Sequence, residues 1–306
     1  METRIQDYCK LGIVHFMLYK FAGSGEGNIA EAVNAVCENK ELDAIEVTWV
    51  KDKKQREETA SILKSSGKAV GFGAHPIILG QGLNLNAEDE TVRQKAVNEM
   101  KALVDQAYEL GSSGFVVLSG KDPGEEKRSF EMNQLVKSLL EIDEELKRCG
   151  DMSLILEVFD RVDYGKNCLI GPHKDSVIIA DEMRKKAPDF GILADLSHIP
   201  LLFEGPTDAV QTVKDCLVHA HLGNCVMDDP EHEMYGDKHP PIGDPAGVNG
   251  VKEVTEYLQA LLDIGFLDRE KRPVMSFEVC PYENWTPDDL LRQSLDVTYE
   301  AFKQVK

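Results

Sequence analysis

The chain has 306 residues, 42% of them hydrophobic, and can therefore bury a full core as one large domain or two average ones. Asp and Glu number 54 against 34 Lys and Arg, and the resulting net charge of −20 repels nucleic acid and anionic membranes over much of the surface. No apolar run reaches the roughly 18–20 residues of a membrane span. We therefore expect a small, neutral or weakly charged substrate and no nucleic-acid or membrane partner.

The N-terminus and the cysteines favour a cytoplasmic location. Residues 1–7 lack a basic region followed by an apolar stretch, which argues against a secretory signal. The seven cysteines are odd in number, widely scattered and form no CxxC pair. Reduced thiols in a cytoplasm are the simplest interpretation of that pattern.

Strand-like and helix-like segments alternate along the whole chain. Apolar runs predict strands at 12–16, 44–49, 69–75, 114–118, 154–157, 191–195, 218–221 and 275–278. Amphipathic or charged segments predict helices at 27–36, 51–66, 87–110, 125–148, 174–186, 246–264 and 286–303, with Asn28 as a candidate N-cap of the first. Eight strand–helix units in a chain of this length predict an α/β fold, a (β/α)8 TIM barrel that forms a single domain over residues 1–306.

A doubly wound open sheet is the alternative fold. It would be expected to carry a dinucleotide-binding fingerprint after its first strand. The glycine-rich segment 23–27 matches neither that fingerprint nor a P-loop in its spacing. We interpret it as a flexible first loop.

Four predicted strands end in a side chain that binds divalent cations. Glu157, Asp195, His221 and Glu278 close strands five, six, seven and eight. In a barrel the carboxyl ends of all strands meet at one rim, where the chemistry of this fold lies. Three carboxylates and one imidazole suit Mn²⁺, Mg²⁺ or Co²⁺ and also admit Zn²⁺ or Fe²⁺, and we expect one divalent cation, Mn²⁺ before the others. The alternative is that each is a separate polar group paired with a loop Lys or Arg.

Three further histidines are candidates for substrate binding near these strand ends. His198 follows Asp195 by three residues and would bond a substrate hydroxyl, hold a second cation or be a satisfied core histidine. His75 ends strand three, where a substrate-binding and a structural role are both open. His219 precedes His221 by two residues, so the two face the same side of the strand, and His219 either binds substrate or lies in a deeper layer.

Two loop residues complete the candidate substrate-binding set. Arg161 follows Glu157 by four residues and would either hold a substrate oxygen or pair with a neighbouring aspartate. His239 lies in the long connection after strand seven and would either reach over the pocket or be a solvated loop histidine.

The order of these motifs resembles the xylose isomerase-like TIM-barrel superfamily over about residues 12–300. The motifs are Glu after strand five, Asp-x-x-His after strand six, His after strand seven and Glu after strand eight. The superfamily includes sugar isomerases and epimerases of the tagatose 3-epimerase kind, inosose dehydratases, hydroxypyruvate isomerases and the endonuclease IV group. The resemblance implies that Glu157, Asp195, His221 and Glu278 bind the metal, that Glu157 and Glu278 also exchange the substrate proton, and that His198 contacts a substrate oxygen. Because many barrels of this group associate, it also implies a homo-oligomer.

The chain departs from two branches of that superfamily. The ketose 3-epimerases carry an arginine a few residues after the metal-binding histidine, and segment 222–226 offers none. The segment 237–239 is similar to the Asp-Arg-His of the endonuclease group, in which that aspartate and histidine, with a histidine matched by His198, hold an extra zinc. That group also uses a histidine after strand four, where segment 118–120 reads Leu-Ser-Gly.

The resemblance implies a metal-dependent sugar or cyclitol isomerase or epimerase. The cation would stabilise the enediolate that forms when one glutamate removes a proton next to a carbonyl, and the second glutamate would return the proton. The closest alternative is a lyase, either an inosose-type dehydratase or a 3-keto-glycoside deglycosidase, which begins with the same proton transfer. An endonuclease IV-like nuclease and a non-catalytic binding subunit are the remaining hypotheses.

Overall fold

The computed structural model of the protein describes residues 3–306, and its sheet is a nearly closed parallel barrel. The strands are Lys10–Ile13 (β1), Ala44–Val47 (β2), Ala69–Gly73 (β3), Gly114–Val117 (β4), Ser153–Glu157 (β5), Gly191–Asp195 (β6), Leu217–Gly223 (β7) and Val274–Glu278 (β8). From β2 to β8 each strand pairs with the next one in sequence, and β1 pairs with β8. Between β1 and β2 the contact is a single parallel bridge from Val14 to Glu46. The predicted (β/α)8 barrel is confirmed.

The helices surround the barrel. They are His15–Leu18 (α1), Ile29–Glu38 (α2), Lys53–Ser66 (α3), His75–Gly80 (α4), Glu90–Glu109 (α5), Glu125–Cys149 (α6), His173–Arg184 (α7), His198–Leu201 (α8), Pro206–Val213 (α9), Val251–Asp263 (α10) and Pro287–Phe302 (α11). Their buried sides and the outer face of the sheet form one large apolar core. None of the helices in the described chain combines the length and the apolar character that a membrane span needs.

Several boundaries differ from the sequence prediction for local reasons. Strand β1 ends at Ile13 because the chain turns into α1, and the segment after β3 begins with α4, which has a proline in its first turn. The helix Pro206–Val213 was not predicted. Asn28 precedes α2, but its amide donates to Glu31 and its side chain makes no capping bond.

The barrel interior is apolar on one side and polar on the other. Val116, Ile155 and Leu193, from β4 to β6, form a small cluster inside the barrel. On the opposite side, a Cβ at Gly71 would lie 3.0 Å from Cγ of Glu46. A glycine at that position therefore leaves the room that the buried glutamate occupies.

We expect the buried imidazole of His15 to make the free energy of unfolding sensitive to acid. His15 is 1% exposed, and burial lowers its pKa to about 3. Below pH 6.5 this imidazole therefore binds a proton in the unfolded chain but not in the folded chain. The free energy of unfolding falls as the pH falls, because the proton stabilises only the unfolded state. Between pH 6.5 and pH 5 we expect a loss of about 2 kcal/mol from this group. Urea unfolding of wild type and His15→Phe in EDTA at both pH values measures it. Equal pH slopes in the two proteins would contradict the prediction.

Candidate active site

The four strand-end residues converge at the carboxyl rim of the barrel. Glu157, Asp195, His221 and Glu278 each offer one ligand atom, and these atoms all lie within 4.8 Å of one another. Asp195 and His221 are opposite each other in the β6–β7 ladder, and Glu278 is opposite Gly223 on the next strand. Parallel pairing in register thus brings together residues that are far apart in sequence.

Nδ1 of His221 is the common neighbour of the three carboxylates. It lies 2.7 Å from Oε2 of Glu278, 3.8 Å from Oε1 of Glu157 and 3.9 Å from Oδ2 of Asp195. The other ring nitrogen, Nε2, lies 3.0 Å from Oε1 of Glu46. The ring is therefore fixed with one nitrogen toward the cluster and the other toward β2.

The cluster fits a divalent cation. Among residues 3–306, Oε1 of Glu157 and Oδ2 of Asp195 are buried and have no hydrogen-bond donor. The buried carboxylates at this rim are Glu46, Glu157, Asp195, Asp237 and Glu278. Among the described lysines and arginines, only Lys166 forms an ion pair with one of them. Buried carboxylates need a compensating charge. Oxygen ligands and one imidazole are the donor set that Mn²⁺ and Mg²⁺ accept, and Zn²⁺ also binds such a set.

The histidines supply positive charge where the carboxylates crowd together. Burial alone lowers the pKa of His221, but Glu46 and Glu278 outweigh it and raise that pKa well above its usual value. Burial raises the pKa of Asp195 to about 6, against the charge of His198. Burial also raises the pKa of Glu157, but His75 and His221 hold it well below its usual range. A cation bound at Nδ1 of His221 must therefore displace a proton from that nitrogen.

Glu46 lies inside the barrel on β2 and was not among the residues predicted from the sequence. Its Oε1 is 2.8 Å from Nε2 of His219 and 3.0 Å from Nε2 of His221. The two rings meet edge to face, with centroids 5.1 Å apart. A glutamate within the otherwise apolar run Ala44–Val47 is the signal that could have identified it.

A second polar group adjoins the first. Oδ1 of Asp237 lies 2.8 Å from Nε2 of His239 and 3.3 Å from Nε2 of His198, and Oδ2 lies 2.9 Å from Nζ of Lys166. Nδ1 of His198 is 2.9 Å from the carbonyl of Val158, and Nδ1 of His239 is 3.1 Å from a backbone carbonyl on β8. Both histidines therefore direct Nε2 to the same carboxylate oxygen. A second cation at this group stays a hypothesis.

Two loops hold that second group in place. Asp160 is buried and accepts backbone N–H bonds from residues 162, 166 and 167, which fixes the loop that carries Lys166. Gly236 has a φ of 80°, and a Cβ there would lie 2.1 Å from the carbonyl oxygen of Tyr164, so only glycine fits beside Asp237.

The long connection after β7 is tied down by asparagines rather than by an arginine. Asn224 accepts from the backbone N–H groups of Cys225 and Asn249 and donates to the carbonyl of Pro241 at 2.8 Å. Asn249 donates to the carbonyls of Leu196 and Gly223. Segment 222–226, which carries no arginine, thus holds the connection in place through Asn224.

A cavity of about 910 Å³ opens above this rim. Its polar floor includes His75, Lys166, Asp237, His239 and Glu278. Glu157, Asp195 and His221 are fully buried and do not line it. The upper walls are mostly apolar and aromatic, from the segments 16–23, 76–79 and 280–287. These walls were not predicted from the sequence.

The five predicted substrate-binding residues have different positions. His75 lines the cavity, with Nε2 2.9 Å from Oε2 of Glu157, and His239 also lines it. His198 lies under the floor, with its ring centroid 4.3 Å from that of Phe159 and the two rings tilted by 33°. His219 is bonded to the buried Glu46 below the rim and does not line the cavity, so the deeper-layer alternative describes it.

Arg161 is not brought to the cavity. Its guanidinium bonds Oδ2 of Asp175 at 2.7 Å and the carbonyl of Leu169, and it pairs with neither adjacent aspartate. Both of these bonds come from Nη2, and Arg161 does not line the cavity. The substrate-binding role predicted for Arg161 therefore has no support in this geometry.

Comparisons with known proteins agree with this architecture. The family described as xylose isomerase-like TIM barrel matches residues 35–301. The IolI protein with a bound zinc atom superposes with a TM-score of 0.73 at 15% identity, covering 97% of this chain and 99% of that one. The D-psicose 3-epimerase of Clostridium cellulolyticum H10, solved with D-tagatose, gives 0.64 at 17%, covering 96% and 97%. The 3-keto-D-glucoside 4-epimerase YcjR of E. coli gives 0.63 at 15%, covering 96% and 99%. A comparison with curated protein sequences finds no match.

Proposed function

The chain belongs to the xylose isomerase-like TIM-barrel family, and we propose that it is a divalent-metal-dependent isomerase or epimerase of a sugar or cyclitol. The observation that carries the proposal is the convergence of Glu157, Asp195, His221 and Glu278 within 4.8 Å beneath a cavity of ligand size. The solved structures with the same fold include proteins named as sugar epimerases.

The four convergent residues would hold the cation, with Mn²⁺ proposed before the other divalent metals. When bound, the cation supplies positive charge that stabilises negative charge developing on the carbonyl and hydroxyl oxygens of an α-hydroxy ketone or aldehyde. The imidazole nitrogen available for this is Nδ1 of His221, because Nε2 is bonded to Glu46.

Glu157 and Glu278 would move the substrate proton. They lie on β5 and β8, on opposite sides of β6 and β7, so their carboxylates approach the cluster from different directions. Glu278 lines the cavity, where its carboxylate would face a bound substrate. Oε2 of Glu157 lies 2.9 Å from Nε2 of His75, which would orient that oxygen. One carboxylate removes the proton next to the carbonyl and the other returns it.

The test is solvent deuterium incorporation into a panel of ketoses, inososes and 3-keto-glycosides, measured by mass spectrometry in Mn²⁺. We expect one panel member to gain deuterium, and the exchange rate to fall by about 100-fold or more in Glu157→Gln and Glu278→Gln. Glu58→Gln, on the exposed face of α3, is the matched control and should exchange like wild type.

Metal content measured by mass spectrometry of each variant separates loss of the base from loss of the cation. Release of water or of an aglycone, in place of an isomerised product, would support the lyase alternative. Exchange that persists in both glutamine variants would contradict the assignment of the acid–base pair. Absence of exchange over the panel in metal-loaded protein would contradict the proposed function.

A further inference from the structure

The upper part of the cavity has a chemical character that a free sugar does not require. Two groups of aromatic side chains line it: Phe16, Tyr19 and Phe21 follow β1, and Tyr282 and Trp285 follow β8. Phe21 is 44% exposed and Leu79, which lines the same walls, is 42% exposed. Clustered exposed apolar side chains mark a binding surface.

The aromatic groups are built into the rim and are not isolated surface residues. The rings of Tyr282 and Trp285 meet edge to face with centroids 5.9 Å apart, and the hydroxyl of Tyr282 donates to Asp244 at 2.7 Å. The rings of Tyr19 and Phe21 meet in the same way at 6.1 Å. Lys20 donates to the carbonyl of Pro281 at 3.2 Å and so links the two segments.

The aromatic walls belong to the same cavity as the polar floor. The same cavity is lined at its base by His75, His239 and Glu278. A ligand whose reacting carbons lie against Glu278 would therefore extend a substituent between the two aromatic groups. A planar aromatic substituent placed there would meet these rings in the offset or edge-to-face arrangements that aromatic pairs prefer.

We infer that the upper cavity is a subsite for an aromatic group linked to the sugar, so that the substrate is an aryl glycoside bearing a carbonyl. The inference rests on the proposed function for the identity of the sugar end.

The test is calorimetric binding of phenyl and methyl 3-keto-β-D-glucopyranoside to the Mn²⁺-loaded protein. We expect the phenyl compound to bind about tenfold more tightly, since aromatic contacts of this kind contribute roughly one factor of ten. Trp285→Ala should abolish the difference, and Trp285→Phe should keep most of it. Phe130→Ala removes an aromatic side chain that is 50% exposed on α6, outside the cavity, and should leave it unchanged.

Three outcomes would overturn the inference. The first is equal affinity for the two glycosides. The second is a phenyl preference that survives both Trp285→Ala and Tyr282→Ala. The third is a dimer, seen by light scattering, that Trp285→Ala dissociates while neither glycoside is preferred, which would assign the walls to an interface between copies of the chain.

The deuterium experiment distinguishes this failure from failure of the proposed function. Exchange into a ketose or a methyl glycoside without a phenyl preference would leave the isomerase proposal intact and remove the aromatic subsite. A phenyl preference that depends on Trp285, without exchange in any member of the panel, would keep the subsite and remove the isomerase.

Discussion

We expect the variant His221→Ala to fold as a barrel and to lose affinity for the proposed divalent cation. His221 supplies the only nitrogen of the four-residue cluster, and its Nδ1 is the atom nearest to all three carboxylates. Without it, three buried carboxylates face one another, and like charges at short range oppose a common ionised state. We expect the affinity for Mn²⁺ to fall on the order of 100-fold or more, measured by calorimetric titration of chelator-treated protein.

His219→Ala is the matched control for that experiment. His219 lies two residues earlier on the same strand, is also buried, and is bonded to the same carboxylate of Glu46. Because its ring does not reach the cluster, its loss should weaken Mn²⁺ binding less than tenfold. Equal losses of Mn²⁺ affinity in the two variants, at matched thermal stability, would contradict the assignment of His221 as a ligand. A general disturbance of β7 would then explain both losses.

The variant Glu46→Gln will weaken cation binding without touching a proposed ligand. Once Nδ1 of His221 has lost its proton to a bound cation, Nε2 donates to Oε1 of Glu46, and the lone pair of Nδ1 faces the cluster. A glutamine can present its NH₂ group instead, which favours the tautomer protonated at Nδ1. Carboxylates that orient a metal-binding histidine typically contribute 10- to 100-fold in metal affinity, and we expect a loss in that range.

Two measurements test Glu46 as a positioning residue. Calorimetry gives the Mn²⁺ affinity, and ¹⁵N NMR of the imidazoles with diamagnetic Zn²⁺ in place of Mn²⁺ reports which nitrogen of His221 is protonated. Glu131→Gln is the control, because Glu131 is a buried carboxylate on α6 that accepts from Asn86. Wild-type affinity together with a wild-type tautomer in Glu46→Gln would contradict the role.

The metal set could be predicted from the sequence because its geometry follows from the fold alone. Once the strands are parallel and closed into a barrel, the residue that ends each strand lies at one rim, whatever separates the strands in sequence. Glu157, Asp195, His221 and Glu278 each end or nearly end a strand, so a linear pattern was enough to bring them together. Their role as metal ligands stays a prediction.

The depth and direction of single side chains could not be predicted in the same way. The period of two correctly gave His219 and His221 the same face, but it does not say which lies at the rim and which one layer below. Arg161 is held by Asp175 and by a backbone carbonyl, contacts that depend on how the loop after β5 folds around Asp160. The aromatic walls join residues near both ends of the chain, and their meeting depends on the pairing of β1 with β8.

Although β1 and β8 are paired, the cavity wall that follows β1 and the proposed metal ligands come from parts of the chain that can change independently. The proposed ligands come from β5 to β8, whereas the segment 16–23 contributes walls and no ligand. A homologue could therefore replace this first loop and acquire a new preference while its metal chemistry stays intact. The segment 280–287 follows Glu278 directly, so its variation is more constrained. Engineers who wish to change the selectivity of this barrel should diversify the first loop before the last.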